Sequence, residues 1–167
     1  MYNEWSLDVF YHGVDDPALA RDMSLLENEI NEYNKAAEQL SAEDAVGSLR
    51  QMMETEEQIL TRISRIAGYF SLRRSANSAD AEGAKYLTKI QALSAGTAKA
   101  SAMFRKFVGE LEDLDGILAE DELLSQYTFL LHEIKDAASH QLSDEAEVVF
   151  ARMNLSGGRA WATWCPT

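Results

Sequence analysis

His132-Glu133-Ile134-Lys135-Asp136 comes closest in this chain to a catalytic pattern. Zinc peptidase chemistry places two histidines four residues apart on one helix. Both imidazoles then reach one metal, and the glutamate between them serves as base. Here Asp136 stands where the second histidine would be. Aspartate can bind zinc, yet a catalytic centre also needs a third protein ligand and an open position. None stands at a persuasive spacing, and His140 falls two turns on, past the expected helix end. The reading taken is a surface histidine and acids around a Leu131/Ile134 stripe.

Other candidates carry less. Asp113-Leu114-Asp115-Gly116 is too short for a calcium loop, which needs alternating oxygen ligands and a distal glutamate, and it reads as a turn. Ser156-Gly157-Gly158-Arg159 offers free N–H groups to an anion at a helix start, but lacks the strand and the Gly-Lys-Ser/Thr ending of a phosphate loop. Cys165 has no histidine–acid pair in sequence to activate it. No catalytic, cofactor-binding or metal-ligating residue is therefore assigned.

The elements that would position any site are helical. The chain of 167 residues fits one domain and can bury about 70% of its unfolded surface. Its hydrophobic share of 46% and charged share of 26% are globular values, which argues against disorder. The two prolines, Pro17 and Pro166, sit near the ends, and alanine, leucine and glutamate dominate. The net charge of −13 argues against nucleic acid and against anionic membrane surfaces, both of which select clustered Lys and Arg. Spread through helical segments, the acid reads as a soluble, self-repelling surface rather than a docking face. One cysteine excludes an intramolecular disulfide. Met1-Tyr2-Asn3-Glu4-Trp5 lacks the basic and apolar regions of a signal peptide, and no apolar run reaches the 20 or so residues of a membrane span. A cytoplasmic location is expected.

Residues 1–14 read as an extended arm. Asp16-Pro17 then predicts a helix start, and Leu19, Met23, Leu26, Ile30, Tyr33, Ala37 and Leu40 form one apolar stripe along a helix of about 23 residues. Glu27, Glu29, Glu32, Lys35 and Glu38 fall mainly off it. Ser41-Ala42-Glu43-Asp44 matches a capping box. Leu49, Met52, Ile59, Ile63, Ile66 and Phe70 continue a stripe interrupted by Glu56, with corners allowed at Gly47 and at 54–57. Asn77-Ser78 offers the next cap. A third helix is expected from Ala79 to Leu111, about 48 Å long, with small residues in its middle for close approach. Leu124, Tyr127, Leu131, Ile134 and Ala138 mark a fourth helix, and Ser143-Asp144-Glu145 caps a short fifth ending near Met153.

Beyond it, Asn154-Leu155-Ser156-Gly157-Gly158-Arg159-Ala160-Trp161 makes a glycine corner leading to Trp161 and Trp164. This corner resembles the Leu-Ser/Thr-Gly-x-x-Ala-Trp segment in the N-terminal region of oligoendopeptidase F, a cytoplasmic zinc metallopeptidase of the thimet-oligopeptidase-like class. Leu142-Ser143-Asp144-Glu145-Ala146-Glu147 is similar to that family's approach to the corner. Trp5-Ser6-Leu7-Asp8-Val9-Phe10-Tyr11 is similar to its opening, and Ser71-Leu72-Arg73-Arg74-Ser75-Ala76-Asn77 to its junction between two long helices. The resemblance implies a non-catalytic N-terminal helical region that forms part of the wall of a narrow cleft for short peptides. The family's H-E-x-x-H helix and its third ligand, a more C-terminal glutamate, have no counterpart in these residues. Zinc is accordingly expected only in a catalytic domain.

The expectations are therefore an all-α, elongated bundle built around a long antiparallel hairpin of residues 55–76 and 79–110. Its parts are an arm (1–14), a helical domain (15–153) and a corner with the start of a truncated helix (154–167). The function expected is that of an oligoendopeptidase F-like N-terminal region, inactive by itself. The alternative is a stand-alone acidic interaction module without enzymatic activity. Expected partners are a catalytic domain of the same family or a second copy, paired through Met153, Leu155, Trp161 and Trp164.

Overall fold

Asp16 opens the first helix as its sequence predicts: its carboxylate accepts the Ala18 N–H at 2.8 Å, and Pro17 takes the first helical position. In the computed structural model, which describes residues 6–139, helix α1 runs Pro17–Glu38 and buries the whole stripe from Leu19 to Ala37. Ser41 caps a 3-10 helix, Ala42–Asp44, and Asp44 in turn caps α2 by accepting the Gly47 N–H. The expected capping box thus splits into two successive caps. Helix α2, Ala45–Ala76, is unbroken for 32 residues, so neither of the two allowed corners forms. Gly47 sits directly under its capping carboxylate and is used there for the room it leaves. Leu49, Met52, Ile66 and Phe70 are buried completely, and α2 packs against α1 and the helix that follows. At about 1.5–3 kcal/mol for each large apolar side chain, this seam dominates the core.

Asn77 ends α2, and Asp80 rather than Asn77 or Ser78 caps α3, Ala81–Ala95. Arg73 holds this turn, with Nε 3.0 Å from Asp80 Oδ2 and its guanidinium over the Tyr69 and Phe70 rings. Phe70 stacks on Tyr86 at 4.4 Å, closing α3 against α2. The hairpin expected of α2 and one long third helix is realised only this far. At Gly96-Thr97 the helix breaks, and α4, Ala98–Glu110, packs on α1 and on the last helix instead. The break has a local cause. Ser94 Oγ donates to the Ile90 carbonyl and Thr97 Oγ1 to that of Ser94, competing with backbone amides beside the residue of poorest helix propensity short of proline.

The expected fourth helix is likewise divided. Asp113, read from sequence within a turn, caps α5, Leu114–Ala119, by accepting the Gly116 N–H. Asp121 caps α6, Glu122–Gln126, and α7 follows as Thr128–Ser139. Ser125 and Thr128 hydroxyls turn back to carbonyls at this second break. No β strand occurs among the described residues, and the architecture is an all-α bundle. No helix among them is long and apolar enough to cross a membrane.

The N-terminal arm departs from its expected extended form. Phe10 and Tyr11 N–H groups return to the Leu7 carbonyl, and Tyr11 is buried against Tyr69. The apolar surface of α1 and α2 draws the chain into a turn, because an extended segment would leave Tyr11 in water. The fifth helix near 143–153, the corner at 154–161, Trp161, Trp164 and Cys165 lie outside the described residues.

Candidate functional site

Helix α7 carries the near-zinc pattern, and the structure gives its side chains other work. His132 Nε2 lies 2.9 Å from Asp115 Oδ1 on α5. Lys135 Nζ donates to the Leu111 and Glu112 carbonyls at the C-terminal end of α4, where a cation offsets the negative helix end. Ile134 is half-buried against the core, and Glu133 is exposed. The pattern therefore staples α7 to α4 and α5. No group of three or more potential ligands assembles anywhere among the described residues, and the one imidazole in the pattern is engaged by a single carboxylate.

Two arrangements that the sequence reading missed are better built. The first is a buried ionic knot between α1 and α2. Arg62 grips Glu29 with two nitrogens, at 2.8 and 2.6 Å, and reaches Asp22 Oδ1 with a third at 3.0 Å. Asp22 Oδ2 accepts the Tyr11 hydroxyl at 2.7 Å, and Arg65 stands 3.7 Å away. Asp22 and Glu29 are 3% and 7% exposed, so these acids belong to the packed face of α1 rather than its wet side. Burial pushes the Tyr11 hydroxyl well above its ordinary value, and the Asp22 carboxylate it binds pushes it further. A spacing of seven residues, two helical turns, was the available signal: it aligns Asp22 with Glu29 beside the apolar stripe.

The second is a groove of about 610 Å³ between α2 and the α6–α7 segment. Met53 and Leu60 line it from α2, and Tyr127, Leu130 and Ile134 from the other side. Two carboxylates edge it. Glu57 accepts the Tyr127 hydroxyl at 2.9 Å, which raises that hydroxyl's pKa. Burial raises the pKa of the Glu56 carboxyl, against the opposing pull of Arg105. The groove brings together helices about 70 residues apart in the chain, so no local spacing announces it.

Residues 110–164 match the family model described as Oligopeptidase F, an N-terminal-domain model. This segment is similar to the N-terminal region of oligopeptidase F. The oligopeptidase F match takes in α5, α6 and α7, and with them one wall of the groove. It also spans the Leu142–Glu147 stretch and the glycine corner, the motifs on which the sequence resemblance chiefly rests. The similar stretches at 5–11 and 71–77 lie outside it, though Asn77 does end a long helix as the resemblance implies. No curated protein and no solved structure matches the chain.

Proposed function

We propose that the chain acts as the non-catalytic N-terminal helical region of an oligopeptidase F-like zinc peptidase, shaping a wall of the cleft that receives short peptides. The carrying observation is the match over residues 110–164, in a sequence whose nearest approach to H-E-x-x-H ends in aspartate. The engagement of His132 and Lys135 in helix packing supports the same reading: these residues hold α7 in place and leave water activation to residues elsewhere. The rigid part of the wall is the α1–α2 pair locked by Arg62, a suitable backing for a surface that must keep its shape while peptides come and go.

The test is hydrolysis by the isolated chain. Zinc-supplemented protein incubated with a mixed library of short peptides is expected to leave the library intact. Zinc-dependent cleavage that disappears in both His132→Ala and Glu133→Ala variants would overturn the proposal and make α7 a catalytic helix.

A further inference from the structure

The groove between α2 and α7 keeps large apolar groups in water: Leu60 is 57% exposed and Leu130 44%, and Phe129, next to Leu130 in sequence but outside the groove lining, is 79% exposed. Such a cluster on the surface of a small domain marks a contact. We infer that its occupant is the chain's own segment 153–164, which lies outside the described residues. The inference does not depend on the peptidase reading.

Three observations choose this occupant. The first is reach. Leu130 and Ile134 stand nine and five residues before the end of α7, about 14 and 8 Å along the helix axis. The 13 residues from 140 to 152 cover about 20 Å even as a helix and about twice that when extended. The second is composition. In a chain of net charge −13, the stretch 153–164 contains no acid, one cation (Arg159) and four large apolar residues: Met153, Leu155, Trp161 and Trp164. It is the chemical complement of an apolar groove edged by Glu56 and Glu57. A volume near 610 Å³ is within the range of pockets that enclose large apolar groups. The third is continuity. A single family match runs from 110 to 164 and covers both one wall of the groove and the proposed occupant.

Cys165, the chain's only cysteine, directly follows Trp164 and provides the test. In the full chain carrying Leu60→Cys, mild oxidation is expected to give a disulfide within the monomer, reversed by reductant. The linkage needs the two Cα atoms within about 7 Å. It is expected to be absent when the second cysteine is Lys99→Cys, on α4 and lining a different surface. A disulfide-linked dimer would seat a second copy in the groove, and no linkage from Leu60→Cys would leave the tail elsewhere. Either result overturns the inference. A second reading uses a Trp5→Phe background, in which Trp161 and Trp164 alone emit. Introducing Leu130→Glu there is expected to red-shift the emission and increase quenching by acrylamide while circular dichroism stays unchanged. Emission insensitive to Leu130→Glu would equally contradict it.

Discussion

Replacing Arg62 with methionine keeps much of the apolar stem and removes the charge, leaving Glu29 without its two guanidinium contacts and Asp22 with the Tyr11 hydroxyl and the more distant Arg65. Breaking a buried ion pair from one side costs about 3–5 kcal/mol. The Arg62 side chain is 22% exposed and Arg65 remains 3.7 Å from Asp22, so water and a second cation moderate the loss to about 2–3 kcal/mol. For a chain of this size, each kcal/mol moves the thermal midpoint by about 2–4 °C, so Arg62→Met is expected to melt about 4–12 °C lower. Thermal denaturation followed by circular dichroism reads this directly. Adding Asp22→Asn and Glu29→Gln to Arg62→Met removes the uncompensated charges and is expected to recover most of the loss. If Arg62→Met instead melts within about 1 °C of the native chain, the knot contributes no more than a surface pair, and the argument from burial fails.

Gly109 of α4 passes so close to α7 that an added Cβ would lie 2.6 Å from the Ala138 Cβ. Gly109→Ala is expected to destabilise by about 1 kcal/mol, overpacking outweighing the gain in helix propensity, and Ala138→Gly is expected to reverse it in a chemical-denaturation series. The Asp16 carboxyl is held below its ordinary range first by the His12 N–H, and the Asp121 carboxyl first by that of Leu124. Their contribution is present above about pH 4 and lost as pH falls through the lower folded-state values, so Asp16→Asn with Asp121→Asn should flatten the acid limb of a stability–pH curve. Glu56 runs the other way. Its carboxyl is raised by burial, so ionisation opposes folding at neutral pH, and Glu56→Gln should stabilise there with an advantage that disappears in acid.

Much of the helical framework is legible residue by residue. Asp16-Pro17 marks the start of α1, and every stripe position from Leu19 to Ala37 is buried, because a period of 3.6 and a burial requirement leave that face one place to go. The break at Gly96-Thr97 is not legible in the same way. Alanines on both sides favour continuation, and Leu87, Ile90, Ser94, Thr97, Ser101, Phe104, Val108 and Leu111 recur at alternating three and four straight across the break. The decision comes from side-chain hydroxyls returning to the backbone and from partners that change, α3 lying on α2 and α4 on α1 and α7. Small residues in the middle of the expected third helix suggested the closest helix approach there, whereas a glycine-mediated close approach between helices falls at Gly109 against Ala138. The candidate sites were harder still. Glu29 reads as a solvent-facing acid until Arg62, 33 residues on, is seen to bury it. The α2–α7 groove depends on a pairing that only the folded chain creates.

The most direct measurement of the central claim is steady-state peptide hydrolysis by an oligopeptidase F catalytic region stripped of its own N-terminal region, with and without this chain supplied in trans. A wall that shapes the cleft without joining the chemistry predicts a lower KM on addition, little change in kcat, and unchanged zinc content. Addition of the chain with no effect on KM, or a kcat that depends on His132 and Glu133, would contradict it.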